Sequence, residues 1–351
     1  MKRFAMIAIA AALAVVMAFS FVACGGTSMN LRSEVANVAP KLDPTVEING
    51  DMSAIEMLNA AVKNYYGADF AIARTSGSLT TEVIGMTLTQ FVKSVTIREG
   101  ASDADNKLFY QNQSGTVKDG GMLGAAIDIK IWEETDYVKS GDSVNMYFRS
   151  ANSKSLTANK YNDTDGTITD TWFEWNNGTA DFTDVLTYNS LDEYANERYA
   201  DPTRIWMYVI DANTILNDKT VAPKLETDPD TGAQYYTLSV SGNVDKTSDN
   251  YSVAEYEEQM LYMLKSQGQT PSKFEFTEIR LDVQVWPNGF LRKVVVTESY
   301  EMGLAGGIID SVVTLTSTKA FFFDENDLPL PDVDHGAFVV SQIGQVQAAA
   351  K

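Results

Sequence analysis

One cysteine, Cys24, and one histidine, His335, stand in 351 residues, and that scarcity excludes most side-chain chemistry at once. A Ser-His-Asp or Cys-His site needs an imidazole held between other elements. His335 instead follows Pro331 in a polar C-terminal stretch, where it reads as a solvated tail residue. Zinc sites need several Cys or His ligands, and this chain has one of each. Asn162-Asp163-Thr164-Asp165-Gly166 has the outline of a calcium loop, but Tyr161 and Trp172 occupy positions where oxygen ligands belong. A hairpin turn is the expectation there. Gly303-Leu304-Ala305-Gly306-Gly307 lacks the Lys-Ser/Thr of a phosphate loop and reads as a bend or a close backbone approach. Paired carboxylates could hydrolyse glycosides, yet among 47 acidic residues no spacing singles out a pair. The expectation is a protein that is not an enzyme and that uses no cofactor and no metal.

Cys24 is the exception, because its chemistry is acylation. Met1-Lys2-Arg3 gives a short positive start, and residues 4–23 are apolar but for Ser20. Such a segment reads as a secretory signal, although at this length a plain transmembrane anchor is the competing reading. Phe21-Val22-Ala23-Cys24-Gly25-Gly26 then places small residues around the thiol, the pattern of a bacterial lipobox with Phe21 where leucine is usual. Acylation at Cys24 after removal of residues 1–23 is the expectation. Each buried methylene contributes about 0.8 kcal/mol, so one chain holds marginally and two hold stably. The protein is expected at the outer face of a cell membrane, with that membrane as its first partner.

Composition bounds the rest. The chain from Cys24 onward has 328 residues, and 44% hydrophobic content is enough for a true core. With Cys24 acylated no disulfide is possible, so packing alone must supply stability. Removing Lys2 and Arg3 with the leader leaves 25 basic against 47 acidic residues, a net charge near −22. That surface repels nucleic acid and anionic headgroups. It suits either a solubilising exterior or a cationic ligand.

The elements follow from period and punctuation. Residues 24–50 carry two prolines and no steady period and read as a lipidated tether. Ser53 and Glu56 form a capping box, followed by Ile55, Leu58, Val62 and Tyr65/Tyr66 at helical spacing. Seven β-rich runs come next: 70–80, 83–97, 107–113, 126–137, 143–150, 155–161 and 168–175, parted by short polar turns. Asp201-Pro202 starts a second helix with Ile205/Trp206, Val209/Ile210 and Leu216 on one face. A strand at 234–243 leads to the box Ser252–Glu255 and a helix carrying Tyr256, Met260, Met263 and Leu264. Strands 273–286, 290–302 and 308–323 finish, the first two joined at Pro287-Asn288-Gly289. Within 273–286 the apolar phase shifts from Phe274/Phe276 to Ile279/Leu281, which predicts a bulge near Thr277-Glu278. Residues 51–327 thus read as a single mainly β (α+β) domain, and residues 328–351 as a weakly ordered tail.

Two helix faces are the candidate ligand site. Trp206, Met207 and Ile210 on one, and Tyr256, Met260 and Met263 on the other, either complete the core or line a cavity for an acyl chain.

The order of elements resembles the LolA/LppX-like superfamily of lipoprotein carriers and lipid-binding lipoproteins. The resemblance is carried by SAIEMLNAAVKNYYG, DPTRIWMYVIDANTIL, YSVAEYEEQMLYMLKSQG, the hairpin FTEIRLDVQVWPNGFLRKVVVTESYEM and the closing AFFFDEND. It implies a curved antiparallel sheet or incomplete β-barrel with helices plugging the concave face, over most of residues 50–325. It also implies a non-catalytic function, binding a lipid or other hydrophobic ligand, and it transfers no individual residue role. The alternative is an envelope protein-interaction or sensory module with a filled core, whose protein partner the sequence does not identify.

Overall fold

The computed structural model describes residues 35–83, 86–99, 108–119, 128–152, 182–190, 220–249, 251–266, 270–304, 309–324 and 335–337. The chain enters helix α1 (Ala54–Gly67) through the anticipated capping box: the Ser53 hydroxyl accepts the N–H of Glu56, and the Glu56 carboxylate accepts the N–H of Ser53. Ile55, Leu58, Ala61, Val62 and Tyr65 then return at three- and four-residue spacing, and all are buried.

Strands follow in long antiparallel succession: β1 (Phe70–Val83), β2 (Met86–Glu99), β3 (Leu108–Asp119), β4 (Asp128–Ser140), β5 (Ser143–Asn152) and β6 (Phe182–Tyr188). After β7 (Val221–Thr227) and β8 (Gln234–Ser241), helix α2 (Ala254–Ser266) intervenes. Three strands end the order, β9 (Lys273–Val285), β10 (Leu291–Leu304) and β11 (Ile309–Phe322). All belong to one eleven-stranded sheet in the order β6-β5-β4-β3-β2-β1-β11-β10-β9-β8-β7. The first and last strands are therefore neighbours at its centre, and each wing is a meander. Among the described residues β6 and β7, at the two margins, do not pair, so the sheet is open rather than closed into a barrel. The expected mainly β architecture stands.

Local sequence explains the finer features. Ser299 pairs with Glu278 and Tyr300 with Phe276, so Thr277 is extra, and the bulge lies where the change of apolar phase put it. At the β9–β10 turn Gly289 has φ of +88°, and a Cβ there would come within 2.5 Å of Asn64 Nδ2. Only glycine meets both conditions.

Three expectations need correction or fall elsewhere. Residues 35–50 are not free tether: the Arg292 guanidinium donates to Ala36 O, Asn288 to Pro40 O, and Asn64 exchanges hydrogen bonds with the Val46 backbone. Ala36 and Ala39 pack against Trp286 and Phe290. A side chain buried in water's absence still needs its hydrogen bonds, and this strap supplies them to three polar residues of the body. Strands β6 and β7 were not anticipated, because FTDVLTY and VAPKLET are short and the second contains proline. The strands expected at 155–161 and 168–175, and the helix from Asp201, lie outside the described residues.

The core sits on the helix-bearing face of β8, β9, β10, β11 and β1, where α1 and α2 meet Leu238, Val240, Leu281, Val283, Val294 and Val296. A small separate cluster, Tyr137, Val144 and Tyr188, holds the β4–β6 wing.

Candidate ligand site

Helix α2 lays Tyr256, Met260 and Leu264, all buried, across the ends of β9 and β10. Beneath it the rings of Phe274, Phe276 and Tyr300 meet one another at centroid separations of 5.1–5.5 Å, and Tyr256 approaches Phe276 at 5.4 Å. Aromatic pairs in these stacked, tilted and edge arrangements contribute about 0.5–1.5 kcal/mol each beyond the area they bury.

In this apolar seam stands an acid. Strand β10 alternates Val294, Val296, Glu298, Tyr300, Met302, and every one of these side chains is buried on the helix-bearing face. Glu298 is 6% exposed, and the Tyr256 hydroxyl donates to its Oε2 at 3.3 Å, linking α2 to the sheet. Burial pushes the Glu298 carboxyl up to about 7, with the Tyr256 hydrogen bond and the charge of Lys319 pulling the other way. Tyr300, one residue pair along, is held well above the usual phenol range by burial and by the charge of Glu298.

Beside the seam the same face turns polar. The register sets Ser317 between Gly77 and Val296, and Leu315 between Leu79 and Glu298. Thr75, Thr81, Ser311 and Ser317 are all buried there, and the Thr81 hydroxyl makes no hydrogen bond. A sheet face that buries four hydroxyls and a carboxyl is amphiphilic, with an apolar lobe on β8–β10 and a polar margin on β11–β1.

Of the six predicted ligand residues, Tyr256 and Met260 lie in this seam, packed into the core. Met263 belongs to α2, but its side chain lies outside the described set, as do Trp206, Met207 and Ile210 altogether. Cys24 is likewise outside the described residues. Glu298 was missed. Its signal was an acid inside a strict apolar alternation, a place where a solvated glutamate has no reason to stand.

His335 is the other correction. It is no solvated tail residue: its Nε2 lies 2.6 Å from Asp136 Oδ2 on β4, and its ring rests 4.3 Å from that of Tyr147 on β5. Burial raises the Asp136 carboxyl above its usual range, and His335 partly offsets this. Among the described residues no group of three or more His, Cys, Asp or Glu side chains is placed to hold a metal ion, and no helix is long and apolar enough to cross a membrane.

The chain matches no protein-family model and no curated protein sequence. Among solved structures it is similar to a β-barrel-like protein of the domain of unknown function DUF1849 from Brucella abortus. That likeness has 9% identity and a TM-score of 0.24 over 73% of this chain and 99% of that one. A DUF1329 family protein from Desulfovibrio piger is similar at 10% identity and a TM-score of 0.22, over 82% of this chain and 100% of that one.

Proposed function

We propose that this is a lipid-anchored, non-catalytic protein of the bacterial envelope that binds an amphiphilic ligand between α2 and the helix-bearing face of the sheet. The observation that carries the reading is the amphiphilic face itself: an aromatic and methionine seam bordered by Glu298 and buried hydroxyls. An acyl chain would take the place of α2 against Phe274, Phe276 and Tyr300, while a polar head met the margin on β11 and β1. Burying apolar ligand surface contributes about 25 cal/mol per Å², and methionine reshapes easily around an irregular chain. The seam is filled by Tyr256 and Met260 in the structure described, so binding requires α2 to shift. The lipobox at Cys24 and the LolA/LppX-like order of elements support the same reading.

Native mass spectrometry of residues 30–351, with and without exposure to a membrane lipid extract, is the test. A discrete added mass that organic extraction removes is the expected result. A clean apo mass under both conditions sinks the ligand-binding reading. It would favour the second one, a protein-interaction module, for which strand β7 speaks. Lying at the sheet margin, β7 exposes Val221 and Leu225, while Pro223 and the register shift beyond Val221 spoil it for strand pairing.

A further inference from the structure

An anchored domain has an orientation, and the strap at residues 35–50 bears on it. The chain from Cys24 to Ala36 can span at most about 43 Å fully extended. That is slack enough for the domain to stand on either end or lie on its side. The anchor alone therefore sets no orientation, and some feature of the surface must choose.

The strap has two faces. Ala36 and Ala39 turn inward onto Trp286 and Phe290, and the carbonyls of Ala36 and Pro40 accept from Arg292 and Asn288. Val38 and Leu42 turn outward, 74% and 39% exposed, with Lys41 exposed between them. An exposed valine on its own signifies nothing. Here, however, two of the five large apolar side chains exposed among the described residues lie within seven residues of where the lipidated segment joins the body. They are held there by a buried arginine rather than left on a loose arm.

We propose that the strap end of the sheet is its membrane-contact surface, with Val38 and Leu42 seated in the interfacial layer of the bilayer that carries the anchor. The inference rests on acylation of Cys24 and is independent of whether α2 covers a ligand. Aliphatic side chains reach about 5–10 Å into the headgroup and acyl boundary, and Lys41 offers one cation to phosphate oxygens. The domain's strong negative charge works against anionic lipid, so the surface fits a bilayer rich in zwitterionic headgroups. The far end of the sheet, with the β1–β2 and β10–β11 connections, then points away from the membrane. Val312, also apolar and 43% exposed, lies ten residues along β11 from Phe322, about 33 Å from the strap end.

The absence of any cysteine other than Cys24 makes the test direct. Full-length protein carrying Val38→Cys, Leu42→Cys or Val312→Cys is labelled with an environment-sensitive fluorophore and reconstituted into phosphatidylcholine vesicles containing spin-labelled phospholipid. Unsubstituted protein is checked alongside for free thiol and for flotation with the vesicles. Quenching at positions 38 and 42 at least about twofold that at 312 is the expected result, given the interfacial depth. If the protein floats without free thiol, but the three labels are quenched alike, the anchor stands and this orientation is wrong. If positions 38 and 42 are shielded from aqueous iodide yet untouched by the lipid quencher, another surface covers them and the proposal fails. A reactive Cys24 and no flotation would overturn the anchor and this inference together.

Discussion

Both described terminal segments of the chain return to the sheet, and they are held there by different chemistry. Residues 35–50 lie against the β9–β10 hairpin through a guanidinium and two side-chain amides. Arg292 is buried between Tyr235 and Trp286, with its charge 4.2 and 5.1 Å from their ring centroids, and it reaches Ala36 O, Gln284 and Asp228. The turn His335–Ala337 rests on the other wing through one imidazole, one carboxylate and one tilted ring contact. By register Asp136 lies in line with Tyr110, Ile97, Ile72 and Phe322, so both attachments are at the same end of the sheet. An arginine never loses its charge in the physiological range and its fork is fixed, whereas burial holds the Asp136 carboxyl above its usual range and disfavours its charge. One attachment is permanent by construction and the other answers to pH.

The largest effect should come from Arg292. Replacing it with methionine leaves Gln284 and Ala36 O without their donor and Asp228 without its counter-charge, and it removes the stacking on Tyr235. A hydrogen bond from a charged donor contributes about 1.5–3 kcal/mol, and those to Ala36 O and Gln284 are both lost with the guanidinium. Urea denaturation should show a loss of that size, and limited proteolysis should begin to cut within residues 35–50. Arg292→Lys should recover little, because an ammonium cannot reproduce the fork. If the strap stayed protected in Arg292→Met, its attachment would owe nothing to the guanidinium and the contrast between the two termini would fail.

Glu298 tests whether the seam under α2 shares the pH sensitivity of the far wing. Its carboxyl is held up to about 7 by burial, whereas an ordinary glutamate ionises near 4.3. A carboxyl raised on folding costs nothing in acid, where both states are protonated. The cost grows as pH rises from the ordinary value and is complete above the raised one. Glu298→Gln should therefore be near neutral at about pH 4.5 and stabilising by roughly 3 kcal/mol at about pH 8. Denaturation curves at the two pH values, on both proteins, decide it. A stabilisation independent of pH would assign the effect to packing instead.

Asn64 should come next. It is buried in α1, accepts from the N–H of Val46, and donates to Val46 O and Gly289 O. Asn64→Ala strands those backbone groups and should cost about 2 kcal/mol, measured by the same denaturation. Because Gly289 and Val46 share this one side chain, the loss should be less than additive with Arg292→Met.

These residues also mark what was legible in the sequence. Local rules found the Ser53–Glu56 box, the turn at Gly289 and the bulge at Thr277, since each is decided by residues within a few positions. They placed Tyr256 and Met260 on one helix face for the same reason. They did not find the partners. Arg292, 256 residues from Ala36, and Asn64, 225 residues from Gly289, look like ordinary polar positions until the fold brings the strap to them. Strand β7 escaped because an edge strand tolerates Pro223 and a bulge, which erase the alternation a central strand must keep. Glu298 was visible as an anomaly on an apolar face, but its meaning depends on α2 lying over it.

The smallest effect belongs to His335, and it bears most directly on the comparison. As the only histidine in the chain, its ring protons can be followed by NMR without competition. Held 4.3 Å from Tyr147, they should show an upfield ring-current displacement that Tyr147→Leu abolishes. The buried Asp136 carboxyl sets the sign of the pH response. The Asp136 carboxyl, raised by burial, costs nothing while protonated and more as pH climbs. The turn should thus be docked most firmly at about pH 4 and looser at about pH 8.5, the ring shift relaxing toward its free value. The partly exposed pair contributes under about 1 kcal/mol, so global unfolding should barely register His335→Ala while the local signal disappears. A ring shift that stays displaced at about pH 8.5 would mean that contact with Tyr147 alone holds the turn. The two termini would then differ in strength but not in their response to pH.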